Sequence, residues 1–185
     1  KEVTRCRTRS LNTGLKEFVS SWTSPTYVLS PSLMQAYRTY VDTMSGQGRS
    51  LPDDVQRYLL ILVDRDKVPF TVDDITRARW MNASAEAAKP LTPRTWRQGQ
   101  RAITHGNLIM VSGALSSATG CQRVALWAHE VTHVYQNRRE GANAFTDKYL
   151  REAAQKSYED ISFEKEAFSV ENRIESSAVC DMLGF

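Results

Sequence analysis

One run constrains this chain more than any other: Val124-Ala125-Leu126-Trp127-Ala128-His129-Glu130-Val131-Thr132-His133-Val134-Tyr135-Gln136. It is apolar, holds no Gly or Pro, and sets three polar residues in the spacing His-Glu-x-x-His. As a helix it places His129 and His133 one turn apart on a single face. Two imidazoles so placed can close on one Zn²⁺, each nitrogen about 2.0–2.1 Å from the ion. Glu130 lies beside them, where a general base for a metal-held water belongs. The string is short enough to arise by chance, so its surroundings decide. Two of the chain's three histidines are spent at i and i+4, in a helix without breakers that follows a strand-like segment.

A zinc hydrolase needs a third protein ligand and a position left open. The best source is Phe163-Glu164-Lys165-Glu166-Ala167-Phe168, acidic, helical and apolar on one flank. The chain between His133 and Glu164 is long enough to bring a second helix back, and Ala167 is small enough for two helices to approach closely. Glu164 is favoured over Glu166, which stays open, and His105 is a weaker third candidate in a turn. Glu159 and Asp160 are poorer, and Glu171 and Glu175 are expected beyond reach of the metal. For the chemistry, Glu130 would take a proton from water and pass it to a leaving amine. Tyr158 or Tyr135 would supply an oxyanion donor, and Gln136 would orient a ligand through its amide.

The remaining sequence predicts an α+β chain, mainly helical. Leu15, Phe18, Val19 and Trp22 predict a helix near 11–22, and Ser30-Pro31 opens a second that Gly46 stops. A third begins at Pro52-Asp53-Asp54, with acids favouring its N-terminal dipole and Val55, Tyr58, Leu59, Leu62 and Val63 on its apolar face. Ile75–Met81 is expected to be a strand, and 82–100 a surface connection. Arg101 to Val111 reads as two short strands around a His105-Gly106-Asn107 turn, since Gly106 disfavours one continuous helix. Gly141 should end the metal helix. Helical turns follow at 144–150, and a further helix runs from Ser157 to Ile174.

Composition excludes some functions. The net charge is +3 and the basic residues are scattered, so no nucleic-acid partner is indicated. No apolar run approaches the roughly 18 residues of a membrane span. Cys6, Cys121 and Cys180 lack C-x-x-C spacing, which argues against a cysteine zinc site. One disulfide and one free thiol would suit an exported, secreted or periplasmic protein, the favoured reading, whereas three thiols would suit a cytosolic one. The spacing does not name the pair. The numbering opens at Lys1 without Met, which fits a cleaved leader or a piece of a larger exported polypeptide.

Arg101–Gln136 resembles the bacterial zinc-metallopeptidase-type domain known as the extracellular contractile injection system core domain, long a domain of unknown function. The likeness rests on Thr104-His105-Gly106-Asn107-Leu108-Ile109, on Leu126 through Gln136, and on Leu51-Pro52-Asp53-Asp54-Val55. Tyr158 and Phe163-Glu164-Lys165-Glu166-Ala167-Phe168 are similar to a downstream segment of related proteins. The likeness covers about residues 51–172 and implies a zincin-like core with a small β element before the His-Glu-x-x-His helix; the domain is expected over 51–185, with an N-terminal helical extension over 1–50 that lies outside the likeness. It implies a gluzincin arrangement: His129, His133 and Glu164 on zinc, Glu130 as base, and a protein or peptide substrate. A metal-bound but non-catalytic binding or assembly module on the same fold is the alternative. Gluzincins often place an acid four residues after the ligand glutamate to hold a histidine; here that position is Phe168.

Overall fold

The computed structural model describes residues 48–82, 102–111 and 118–185, together with Thr39 and Thr43. The expected helices near 11–22 and after Ser30, nearly all of the 82–100 connection, and Cys6 lie outside the described residues. Among the described residues four strands form one sheet: β1 (Arg49–Ser50), β2 (Arg79–Asn82), β3 (Ala102–His105) and β4 (Leu108–Val111). Their order is β1-β2-β4-β3, with β2 parallel to β4 and the other two pairs antiparallel. The helices are α1 (Asp53–Asp64), α2 (Val72–Arg77), α3 (Gly120–Glu140), α4 (Ala142–Gln155), α5 (Ser162–Ile174) and α6 (Ser177–Leu183). This is an α+β, mostly helical fold whose sheet precedes the helix carrying His129 and His133.

The sheet follows from its side-chain pattern. Leu108-Ile109-Met110-Val111 is apolar throughout, as a strand buried on both faces must be, and all four residues are buried. Ile109 and Val111 join the main core, while Leu108 and Met110 pack with Met81 and Ile103 in a separate cluster. The β3–β4 connection is a hairpin at the expected turn, but only Gly106 and Asn107 lie between the strands, since His105 ends β3; Gly106 takes φ +62, a value glycine adopts without steric cost. Asn107 then ties this hairpin to the α2–β2 junction: its Nδ2 donates to the Arg77 carbonyl at 3.0 Å, and its carbonyl accepts from Arg79 N–H at 2.8 Å.

The strand expected over Ile75–Met81 is a correction. Residues 72–77 are helical, and only Arg79–Asn82 extend into β2. The physical reason is a capping box, Thr71-x-x-Asp74. The Asp74 carboxylate accepts the Thr71 N–H at 2.8 Å and the Thr71 hydroxyl at 2.9 Å, which satisfies donors that a helix start leaves open. Asp74 is fully buried and also receives Arg138 of α3 through Nε at 2.6 Å and a second nitrogen at 3.0 Å. One carboxylate therefore both starts α2 and holds the C-terminal turn of α3.

Helix α1 begins and packs as its pattern predicts, with Val55, Leu59 and Leu62 buried. Helix α3 is buried nearly all round because α5, α4, α1, α2 and β3 all pack on it. Trp127 meets Trp80 of β2 edge-on, with ring centroids 5.9 Å apart. Gly141 ends α3 at φ +83, so one residue turns the chain into α4, which runs well beyond the turns expected at 144–150. The helix expected from Ser157 starts instead at Ser162, after a single 3₁₀ turn at Tyr158–Asp160. Glu152 of α4 sets that start, accepting the Ser162 N–H at 2.6 Å and the Ser162 hydroxyl at 2.8 Å. The sequence reading did not foresee α6. A disulfide between Cys121 and Cys180 joins it to the first turn of α3.

Candidate metal centre

Helices α3 and α5 make the most extensive helix–helix contact in the described fold, and the site lies between them. His129 and His133 project from one face of α3 with their Nε2 atoms 3.2 Å apart. Glu164, in the first turn of α5, points its Oε2 at both, 3.4 Å from His129 Nε2 and 3.6 Å from His133 Nε2. All three side chains are buried. A tetrahedral ion with bonds of about 2.0–2.1 Å has ligand–ligand edges of about 3.3–3.4 Å. The observed triangle matches that face of a tetrahedron. Glu164 Oε2 is moreover buried without a hydrogen-bond partner, which is costly for a carboxylate oxygen and is relieved by a cation. Among the described residues, His129, His133 and Glu164 form the one such cluster of potential metal ligands.

Each of the three is gripped from behind. His133 Nδ1 lies 2.8 Å from Gln136 Oε1, and Gln136 Nε2 donates to the Phe163 carbonyl at 2.9 Å and to Glu166 at 3.0 Å. Because the Gln136 amide nitrogen is committed to those acceptors, its oxygen calls for a proton on His133 Nδ1, leaving the Nε2 lone pair for a metal. Glu166, the rival ligand, is turned to Arg139, which donates to it at 2.8 and 3.1 Å. The Tyr149 hydroxyl donates to Glu164 Oε1 at 2.8 Å.

His129 Nδ1 lies 2.9 Å from Glu171 Oε2. It is an ion-pair contact between two buried groups. Glu171 follows Glu164 by two helical turns on the same face of α5. It does for His129 what the acid missing at position 168 was expected to do. Phe168 instead lays its ring edge-on against His129, with centroids 4.9 Å apart.

The charges reinforce one another. Burial pushes His129 down, but Glu164 and Glu171 overcome it and raise the imidazole to about 10. His133 is also raised, burial again being outweighed by the Glu164 charge. Burial works against ionised Glu164, yet the two imidazoles hold it far below the usual carboxylate range. Burial and then Glu164 push Tyr149 and Tyr158 well above the ordinary phenol value, so both keep their protons.

Glu130 is buried beside the triad without belonging to it. Its Oε2 accepts the Thr104 hydroxyl at 2.6 Å, so β3 reaches the site through the threonine of the Thr-x-Gly-Asn turn. Strand alternation puts His105 on the opposite face from Thr104, and burial lowers its pKa to about 4. Tyr158 stands near Glu164 with its ring edge-on to Phe168 at 5.9 Å. Tyr135 lies under the guanidinium groups of Arg138 and Arg139, at 5.7 and 5.1 Å. Thr132 back-bonds to the Ala128 carbonyl at 2.7 Å.

Sequence reasoning missed Glu171 and Tyr149 as members of the site. The i+7 spacing of Glu171 from Glu164 was a legible signal for the first. Nothing in the sequence marked Tyr149. The described residues include no helix long and apolar enough to cross a membrane. No curated protein and no solved structure matches the chain. Residues 77–141, from the end of α2 through β2, β3 and β4 to the glycine that closes α3, match the model of the eCIS core domain family.

Proposed function

We propose that this chain is a zinc-binding domain of zincin-like build, with His129, His133 and Glu164 as its ligands, and that it serves as a binding or assembly module. The observation that carries this reading is the buried triangle of Nε2, Nε2 and Oε2 atoms with edges of 3.2–3.6 Å. Two imidazoles and one carboxylate suit zinc better than calcium or magnesium, which prefer all-oxygen shells. The match of 77–141 to the eCIS core domain supports a place in a larger exported polypeptide. The Cys121–Cys180 disulfide supports a secreted or periplasmic setting. Metal analysis of the purified chain tests the reading. One equivalent of zinc, lost in His133→Ala, is expected; less than a tenth of an equivalent after zinc-supplemented refolding would end it.

A second reading, a zinc-dependent peptidase of gluzincin type, is favoured by one specific observation: Glu130 is held by Thr104 beside the triad yet outside it. When bound, zinc would acidify water and polarise a substrate carbonyl. Glu130 would accept the water's proton at its carboxylate and hand it to the leaving amine. Tyr158, protonated and close to Glu164, would donate to the developing oxyanion. Strand β3, at one edge of the sheet among the described residues, would offer its main chain to an extended peptide next to Glu130. Exposure of the chain to a peptide library separates the two readings. Cleavage that disappears in Glu130→Gln while zinc is retained identifies a peptidase; no cleavage by the zinc-loaded chain leaves the non-catalytic module.

A further inference from the structure

Resting on the zinc-binding reading, we propose that Tyr149 is a positioning residue that confines Glu164 to ligation through one oxygen. It thereby keeps the centre four-coordinate and selective for zinc over manganese or calcium. The two carboxylate oxygens of Glu164 are used differently. Oε2 faces both histidine nitrogens and has no hydrogen-bond partner, whereas Oε1 accepts the Tyr149 hydroxyl at 2.8 Å. A carboxylate with both oxygens free can swing to bind an ion through both, which raises the coordination number and suits larger, harder cations. Occupying Oε1 with the Tyr149 hydroxyl removes that option.

The hydroxyl is aimed by packing. Gly141 turns α4 back along the site, and the Tyr149 ring stacks on Phe145 at 5.8 Å. Phe145 is itself wedged against Phe163, with ring centroids 4.5 Å apart, in the residue just before Glu164. Donor and acceptor thus ride on one hydrophobic cluster formed by Phe145, Ile161 and Phe163, with Tyr149 and Tyr158 against it. The cluster is separate from the main core, and Phe145 also sets its ring edge-on to His133, with centroids 6.5 Å apart.

The test uses the full chain loaded with Co²⁺, whose visible bands are intense in four-coordinate sites and several-fold weaker at higher coordination numbers. The wild-type chain should give the intense bands. Tyr149→Phe, which keeps the ring and its stacking, should weaken them several-fold and reduce the preference for zinc over manganese by tenfold or more. Identical spectra and preference in the two proteins would overturn the inference while leaving the zinc site standing. X-ray absorption at the zinc edge of the wild-type chain gives a check that needs no variant. Four nearest neighbours are expected, and five or six would overturn the role given to Tyr149. A wild-type chain that takes up neither Co²⁺ nor Zn²⁺ would refute the zinc-binding reading itself, and this inference with it.

Discussion

Replacing Glu171 by Gln removes one negative charge from behind His129 and changes little else, since the two side chains are nearly the same size. The carboxylate oxygen lies 2.9 Å from His129 Nδ1, and both groups are more than nine-tenths buried. At an effective dielectric of about 20, unit charges about 4 Å apart attract by about 4 kcal/mol. Burying the pair costs much of the same energy. That offset places the net effect low in the range known for groups that orient metal-bound histidines, about 10–100-fold in metal affinity. The expected loss is therefore about tenfold in zinc Kd, or about 1.4 kcal/mol. Glu171→Leu, which puts an apolar side chain against the buried imidazole in place of the carboxylate, should approach the hundredfold end. Competition with a chromogenic chelator at fixed pH measures both. Zinc affinity within twofold of wild type in both variants would refute the assignment of Glu171 as the carboxylate that holds His129.

Other perturbations follow from the same geometry. Burial opposes ionisation of Glu152, but the Ser162 N–H, the Ser162 hydroxyl and Lys156 outweigh it and lower the group to about 2. A carboxylate depressed in this way adds stability above its ordinary value of about 4.5 that is lost as pH falls towards 2. Denaturation of Glu152→Gln should then show a deficit of about 1 kcal/mol at pH 7 that shrinks below pH 4, and an equal deficit at both pH values would refute the capping role. Opening the Cys121–Cys180 bridge, which spans 59 residues, should lower stability by up to about 4 kcal/mol on the loop-entropy argument. Calorimetry of the oxidised and reduced chains reads this as a fall in Tm. If the chain cleaves peptides, Thr104→Val should lower kcat about 10–100-fold by removing a hydrogen bond to a charged group, with KM and zinc content held and Thr104→Ser restoring the rate.

Local chemistry made much of this architecture legible. The acids and apolar stripe after Pro52 predict α1, Gly106 predicts the hairpin, and Gly141 predicts the end of α3, because each is a short-range rule. The error at 75–81 was also local. Thr71 and Asp74 carry a capping-box signal three residues apart, and the β-branched residues around them obscured it. What stayed hidden depends on tertiary contact. Glu152 starts α5 from another helix, so no window over Ser157–Ile174 contains the reason it begins at Ser162. The same holds at the site. His129, Glu130, His133 and Glu164 stand out by spacing and residue type. Tyr149 enters only because Gly141 and the Phe145–Phe163 contact fold α4 against α5. Glu171 sits two turns beyond Glu164, where a search for an acid one turn away meets Phe168 instead.

The central claim is that His129, His133 and Glu164 together hold one zinc ion, and a crystal structure of the purified chain with diffraction recorded on both sides of the zinc absorption edge tests it most directly. A single anomalous peak is expected about 2.0–2.2 Å from His129 Nε2, His133 Nε2 and Glu164 Oε2, with Glu166 still paired to Arg139. A peak ligated by Glu166 or His105 in place of Glu164, or no peak from zinc-saturated crystals, would contradict the account.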